Sequence, residues 1–451
     1  MERWTIPLFR HALDARRASP RVGSTLGFGN HRNVDRVLLL VPSTSYRTSD
    51  FLAAARALDL NLVIGSEEPP VLPGGTGVLQ VPLDDPEAAA DAIVALDLVS
   101  PLDGVVAVDD QGTLVAARAA ERLGLRHNHP DAVAAARDKL RARTLLRGSE
   151  VSQPAFAVVS PTADAAEVSR LTELVGLPCV VKPTGLSGSQ GVIRVDSVSE
   201  ATEAVERVRS IAAAAGSEPG RPLLIEEFVR GPEIAVEGVL TGGELTVLAV
   251  FDKPDPLDGP YFEETLYITP SGLDAADMTA VTVATQAATR ALDLTEGPVH
   301  AELRVRDGRA WVIEVAARSI GGLCSRTLEF GTGVSLEYLI LAHALGRPAG
   351  SLRTTPGAAG VLMLPIRAGG ILVGVEGRER ALAIPGVVGM ELTIPPGRLL
   401  VPLPEGNRYL GFVFARGDNP VQVEASLRAA HAELDVKVLP PGELRRPVAG
   451  P

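Results

Sequence analysis

Cysteine is almost missing: the 451 residues contain only Cys179 and Cys324, far apart in the chain. That excludes a disulfide framework and a cysteine-built zinc site, and makes a reducing cytoplasm the expected setting. Positive charge is also in deficit, with 43 Lys and Arg against 55 Asp and Glu and a net charge of −12. Nucleic-acid binding needs a basic surface to displace counterions, so no nucleic-acid partner is expected; the excess of acid keeps such a surface soluble by self-repulsion. No apolar run approaches the roughly 20 residues of a membrane helix, and no membrane partner is expected. There is no GxGxxG and no Walker A lysine, which removes the commonest dinucleotide and P-loop signatures. Residues 1–33 carry Arg3, Arg10, Arg16, Arg17, Arg21 and Arg32 without the apolar core of a secretory signal. Glu2 and Asp14 count against a transit peptide, so this stretch reads as a lead-in arm.

What is present is alternation. Val37–Val41 is a short all-apolar run, as expected of a strand buried on both faces. A polar turn (Pro42 to Thr48), an Ala-rich helical stretch (Asp50–Leu58) and a strand (Leu60–Ile64) follow. Gly104–Val108 and Gly112–Leu123 repeat the strand–helix pair, which predicts an α/β unit with a parallel sheet over 34–130. Asp131–Arg147 reads as one helix with Asp138-Lys139 in its middle. Leu223–Phe228, Ile234–Leu240 and Leu245–Phe251 alternate like antiparallel strands. The length allows about three domains of roughly 100–200 residues.

Three constellations carry chemistry. Lys182-Pro-Thr-Gly-Leu-Ser-Gly-Ser-Gln-Gly191 ends a strand in a loop where Gly185, Gly188 and Gly191 let backbone amides wrap an oxyanion. Ser187 and Ser189 add hydroxyls, and Lys182 reaches the same phosphates as a point charge. A plain surface turn has the same composition, so the loop alone leaves both readings open. Leu224-Ile-Glu-Glu-Phe-Val-Arg-Gly-Pro-Glu233 runs from a strand into a Gly-Pro turn. It is either a solvated strand end or a hinge whose backbone and Glu226 hydrogen-bond a flat heterocycle, with Glu233 near a sugar or phosphate.

The third constellation is a hairpin around Asp307-Gly308, with His300-Ala-Glu302 opening one strand and Glu314-Val-Ala-Ala-Arg318 closing the other. If Ala301, Leu303 and Val305 share an apolar core face with Trp311, Ile313 and Val315, Glu302 and Glu314 project together from the other face. That parity requires an odd loop, so a three-residue turn with a glycine bulge is expected. Two carboxylates held together need a cation between them, and hard oxygen ligands beside phosphate point to Mg²⁺, with Mn²⁺ as a substitute. Arg318 beyond the second carboxylate suits a transferring phosphate. A solvated hairpin face is the competing reading.

In this order and spacing the three constellations resemble the ATP-grasp superfamily over roughly 34–345. The resemblance implies an ATP-grasp fold: an α/β N-terminal domain, an α+β ATP-binding part with a glycine-rich lid, and an antiparallel C-terminal sheet. By matching position it gives ATP's phosphates to Lys139 and Lys182, the mobile loop to Gly185–Gly191, and the adenine hinge to Glu226, Glu227, Phe228 and Val229. Glu233 takes the ribose or phosphate acid's place, Glu302 and Glu314 the metal's, and Arg318 the phosphate-binding arginine's. Where the family often reads Glu-x-Asn-x-Arg, this chain has Ala316, which loosens the second metal and keeps a non-catalytic nucleotide sensor as an alternative.

Lys253-Pro-Asp-Pro-Leu-Asp-Gly-Pro-Tyr-Phe-Glu-Glu-Thr, Ile320-Gly-Gly and the stretch Gly360 to Leu434 resemble L-amino-acid ligases, including carnosine-synthase-like members. The resemblance implies an ADP-forming ligase joining a small-molecule carboxylate to an amine through an acyl-phosphate, and allows a homodimer. His300 is a candidate for binding substrate or deprotonating the amine, and Glu263 and Glu264 for holding the first substrate's ammonium. Gly321 and Gly322 would border the substrate pocket, and Gly322, where some relatives carry a bulky aromatic, is expected to widen it. A carboxylase or purine-biosynthesis ligase would share the ATP site. The expected division is an arm (1–33), an α/β domain (34–130), a lid and linker region (131–229), a catalytic region (230–349) and a small C-terminal domain (350–451).

Overall fold

The computed structural model describes residues 34–68, 77–329, 333–348, 352 and 355–440; the expected arm over 1–33 lies outside them. The apolar run Arg36–Leu40 is the spine of a four-stranded parallel sheet. It pairs with Asn61–Ser66 on one side and Gly104–Ala107 on the other, and Gly77–Gln80 lies outside Asn61–Ser66. Val37 and Leu39 pack into one apolar cluster with Phe51 and Leu339, while Leu38 and Leu40 pack into another with Ile93 and Val115. Both faces are covered by helices, which is why this strand carries no polar alternation. The helix Asp110–Leu123 starts just beyond the carboxyl end of Gly104–Ala107. Ligands of open parallel sheets gather at that edge.

A second sheet, antiparallel throughout, orders Phe156–Val159, Leu223–Glu227, Cys179–Pro183 and Ile193–Val195. The helices Ala165–Val175 and Val198–Ala214 cover one face with Val168, Leu171, Val205 and Val208. The stretch predicted as one helix over 131–147 is two, Pro130–Arg137 and Lys139–Arg147. Asp138 leaves helical geometry (φ −115°, ψ 108°), and its carboxylate caps the second helix by accepting from the Arg141 amide at 3.0 Å. The break turns the Lys139 amide to the Thr184 carbonyl at 2.8 Å, which docks the new helix on the glycine-rich loop.

The largest sheet has eight antiparallel strands. In spatial order they are Arg309–Ala316, Gly297–Arg306, Glu233–Thr241, Glu244–Lys253, Leu266–Thr269, Ala358–Leu364, Gly411–Gly417 and Val387–Leu392. Backbone hydrogen bonds therefore run without interruption from the hairpin of the candidate metal ligands into the 350–451 segment.

The hairpin corrects two expectations. Its turn has two residues, Asp307 and Gly308, both left-handed (φ 54° and 69°), as a tight primed turn requires. The odd residue sits instead in the strand: Glu302 pairs with Glu314 and Leu303 with Val312, which leaves Ile313 as a β-bulge. The core face is consequently Ala301, Leu303 and Val305 against Ala310, Val312 and Val315. Trp311 lies outside that core, with the Arg306 guanidinium 4.2 Å from its ring, and Ile313 lines the cleft. Glu302 and Glu314 still share the cleft side, because the bulge absorbs the parity that the loop was expected to absorb.

Candidate active site

A cleft of about 550 Å³ lies between the carboxyl edge of the parallel sheet, the glycine-rich loop and the eight-stranded sheet. Lys182, the last basic residue of a fully buried strand, donates to Glu226 at 2.6 Å. Glu226 also accepts from Arg143 Nε at 2.8 Å and Nη2 at 3.1 Å, a two-point pairing of guanidinium with carboxylate. Arg143 then reaches the bulge, donating to the carbonyls of Val312 (3.1 Å) and Ile313 (2.7 Å). Burial alone would push the Glu226 carboxyl up, but Arg143 and Lys182 hold it down at about 2. One carboxylate cannot balance two cations with Lys139 beside them, and burial together with Arg143 and Lys139 lowers Lys182 to about 8. Glu226 was expected to face the heterocycle; its carboxylate instead holds Lys182.

Lys139 donates to the Leu186 carbonyl at 2.7 Å and lies 3.3 Å from Glu314. Within the loop, Leu186, Ser187, Gly188 and Ser189 line the cleft. Among the described residues the amides of Gly185–Ser189 donate to no backbone acceptor, so they remain available to an anion. Gly188 (φ 63°) needs glycine's freedom, and Ser189 at φ 56° adopts a conformation unusual for its type. Gly185 and Gly191 lie at the margins instead: a side chain at 185 would strike Arg221, and the Gly191 amide donates to the Pro404 carbonyl at 2.9 Å. Gln190 adds a bond to the Glu405 carbonyl at 2.7 Å.

Glu227, Phe228 and Val229 line the cleft with the apolar Val180, Leu257 and Phe262. Among the described residues the Val229 amide has no acceptor, while its carbonyl accepts from Arg304 at 3.0 Å. This is an apolar slot with one free donor on its rim, suited to a flat heterocycle.

Glu233, Glu264 and Glu302 converge so that one oxygen of each lies within 4.8 Å of the others. Lys253 sits among them, 2.8 Å from Glu233, 2.5 Å from Glu264 and 3.5 Å from Glu302. Glu233 also accepts from Arg304 at 2.9 Å, so the carboxylate expected beside ribose is paired with two cations. Glu264 accepts from the hydroxyls of Tyr267 (2.6 Å) and Tyr409 (3.2 Å); burial raises its carboxyl, but the charge and hydrogen bond of Lys253 and the bond from Tyr267 hold it low. Glu263 is not in the cleft wall, and burial raises its carboxyl. The expected ammonium pair is therefore not assembled: one carboxylate is occupied by a lysine and the other lies elsewhere.

His300 stands between the fully buried Glu237 (3.2 Å) and Glu302 (3.5 Å). Burial opposes its charge, yet the two carboxylates raise it to about 9. It is a bridge that steadies Glu302, and a proton acceptor from an amine is the role it suits least. Arg318 Nε lies 2.9 Å from Asp110 Oδ2, across the cleft from the parallel sheet; burial works against its charge, but Asp110 raises it. Gly321 and Gly322 line the cleft beside it. A side chain at Gly322 would meet the Phe412 ring at 2.8 Å, so this position points into an aromatic cluster of Tyr46, Tyr409 and Phe412. The glycine makes room for Phe412; it does not widen the cleft.

Sequence reasoning gave no role to Lys253, Arg143, Arg304, Asp110 and Glu237. A lysine and an arginine closing apolar stretches were the available signals for Lys253 and Arg304. For Asp110 the signal was an acidic pair, Asp109-Asp110, where a parallel strand meets its helix.

The chain matches three family models in order: an ATP-grasp N-terminal domain (52–127), an ATP-grasp domain (175–327) and an L-amino acid ligase C-terminal domain 2 (362–439). It is an ATP-grasp protein. Within that family the chain resembles alanine–anticapsin ligase of Bacillus subtilis, 29% identical over 56% of this chain and 56% of that one. Dapdiamide A synthase of Enterobacter agglomerans is 28% identical over 57% and 62%. The chain thus spans under two thirds of the length of these two ligases. The crystal structure of an L-amino acid ligase from Bacillus licheniformis superposes with a TM-score of 0.75 at 27% identity, covering 90% of this chain and 99% of that one. ATP-grasp enzymes bind ATP and a divalent metal. No helix among the described residues is long and apolar enough to cross a membrane.

Proposed function

We propose that this ATP-grasp protein is an ADP-forming carboxylate–amine ligase that joins two amino acids, or an amino acid and another amine. The observation that carries the reading is convergence: two lysines, the loop residues Leu186–Ser189 with their four free amides, two cross-strand carboxylates and Arg318 line one cleft. In the first step a substrate carboxylate oxygen attacks the γ-phosphorus of ATP and the bond to the β-phosphate oxygen breaks, giving an acyl-phosphate and ADP. In the second step the amine attacks the acyl carbon, inorganic phosphate leaves with the acyl oxygen, and the amine's proton passes to solvent. Both steps depend on positioning and charge neutralisation.

Lys139 and Lys182 hold the phosphates, Leu186–Ser189 close over them, and Val229 with its apolar neighbours takes the adenine. Arg318, oriented by Asp110, binds the reacting carboxylate and the charge that develops on transfer. Glu302 and Glu314 fit Mg²⁺: they are hard oxygen donors opposite each other in register, partly exposed to the cleft, with only loose ion pairs of 3.3–3.5 Å to displace. When bound, Mg²⁺ would neutralise the phosphate oxygens. Ala316 leaves the third position of that shell without a side-chain donor.

Substrate carboxylate labelled with ¹⁸O tests the chemistry. Acyl-phosphate formation transfers one labelled oxygen to inorganic phosphate. Label in AMP would refute it, bicarbonate-dependent ADP release would indicate a carboxylase, and nucleotide binding without substrate-dependent ADP would indicate a sensor.

A further inference from the structure

One buried cation stands behind the cleft wall and not in it. Arg47 sits at the N-cap of the helix Thr48–Ala57 and is 1% exposed, while its neighbours Ser45 and Tyr46 line the cleft. Its guanidinium donates from Nη1 to the Val108 carbonyl at 2.9 Å and from Nη2 to the Ser319 hydroxyl at 3.0 Å. Val108 is two residues before Asp110, and Ser319 is the residue after Arg318. The Arg318 guanidinium in turn donates to the Ser319 carbonyl at 2.8 Å and pairs with Asp110 at 2.9 Å. These contacts close a ring that runs from Arg47 to Val108, along the chain to Asp110, across to Arg318, along to Ser319 and back.

Stability alone is a poor account of this arginine. Burying a guanidinium carries a desolvation cost that an apolar side chain of similar volume avoids. Here the compensation is incomplete. The carboxylates of Glu337 (3.6 Å) and Asp109 (3.9 Å) lie beyond hydrogen-bond reach, and among the described residues Arg47 Nε and Glu337 Oε1 have no hydrogen-bond partner. What the arginine achieves is geometric: a rigid fork ties together two segments that are far apart in the chain. The other side of the same turn is held as well. The Ile320 amide donates to Glu237 at 2.9 Å, and Glu237 pairs with His300. The turn that carries Arg318 is thus fixed between Arg47 of the N-terminal layer and Glu237 of the large sheet.

We propose that Arg47 is a positioning residue for phosphoryl transfer: it sets the separation of Asp110 and Arg318, and so the aim of the Arg318 guanidinium at the reacting carboxylate. The inference rests on the ligase reading for that last step, whereas the placement of Arg318 by Arg47 holds for any chemistry in the cleft. Arg47 does not line the cleft, and its effect reaches the reaction only through Arg318. A displacement of about 1 Å in such a group costs on the order of 10²-fold in rate.

Two variants separate this role from packing. Arg47→Lys keeps a positive charge beside Glu337 and loses the planar fork, and Ser319→Ala removes one acceptor and leaves the other. Arg47→Lys should lower kcat about 10- to 100-fold and Ser319→Ala about 3- to 10-fold, with KM for ATP within about twofold of wild type. In an Asp110→Asn background, where Arg318 has already lost its charged partner, each should cost less than about twofold. An undiminished loss of kcat in that background overturns the proposal, because a purely structural role is indifferent to Asp110. A rise in KM for ATP with kcat unchanged overturns it as well. The Nε–H proton resonance of Arg318, assigned by its loss in Arg318→Ala, reads the geometry without turnover. It should move upfield in Arg47→Lys as the hydrogen bond to Asp110 lengthens. That shift upholds the positioning role even where no amide product forms, in which case only the ligase reading has failed. An unmoved resonance overturns the role even in an active ligase. Should Arg47→Lys not fold, Ser319→Ala takes its place in every one of these readings.

Discussion

Arg318 Nε lies 2.9 Å from Asp110 Oδ2, so the arginine just beyond the edge strand Arg309–Ala316 of the large sheet is oriented by the first residue of a helix in the N-terminal layer. Asp110→Asn keeps the shape and removes the charge. Turnover should fall about tenfold or more with KM for ATP nearly unchanged, while Arg318→Ala should cost on the order of 10²-fold. Steady-state ADP release measures both. An Asp110→Asn enzyme with wild-type turnover would show that Arg318 needs no such orientation.

Lys182 carries a pH signature. Burial and its cationic neighbours lower it to about 8 in the free protein, and bound phosphates favour its charged form. At pH above about 8 nucleotide binding should therefore take up a proton, and below about pH 7 it should not. KM for ATP should rise as pH passes 8. Titration calorimetry in buffers of different ionisation enthalpy reads the proton directly, and proton release on binding would contradict the assignment.

Glu314 and Glu302 face each other across the hairpin, and Glu314→Gln removes a charge that opposes the metal without removing bulk. Turnover should drop by about 10²-fold or more, with the melting temperature close to wild type. Near-normal ADP release at saturating Mg²⁺ would take Glu314 out of the metal site.

Arg143 is buried and bonds to Glu226 and to two strand carbonyls. Arg143→Ala leaves a carboxylate short of partners and should destabilise the protein by about 3–5 kcal/mol. The Glu226 carboxyl is held at about 2 against an ordinary 4.5, so the stability it contributes is complete above about 4.5 and lost as pH falls toward 2. The gap in melting temperature between variant and wild type should narrow over that interval; a gap independent of pH would point to lost packing alone.

Much of this architecture was legible before any coordinates. Val37–Val41 reads as a doubly covered strand because every side chain is apolar, and both faces proved to be packed. Lys182 and the hairpin acids stood out because short local motifs carried them, whereas Lys139 came only from the resemblance to the ATP-grasp superfamily. What escaped were relationships between distant segments. Asp110 meets Arg318, and Arg143 meets both Glu226 and the 312–313 carbonyls, through contacts that no local spacing encodes. The helix break at Asp138 was missed because Asp in a helical pattern competes with capping, and only the docking of Lys139 onto Thr184 decides between them. The bulge escaped because a parity mismatch can be absorbed in the loop or in the strand, and the pattern of apolar residues does not say which.

The Ile313 bulge makes regularity and competence opposing goals in this strand. Deleting Ile313 would give the hairpin an uninterrupted ladder with Glu314 still opposite Glu302, a cleaner structure by every local rule. It would also withdraw a carbonyl from Arg143, which holds Glu226, which holds Lys182. Any redesign that idealises this hairpin should therefore give a more regular ladder and a slacker grip on ATP, with the fault appearing in a lysine on another sheet.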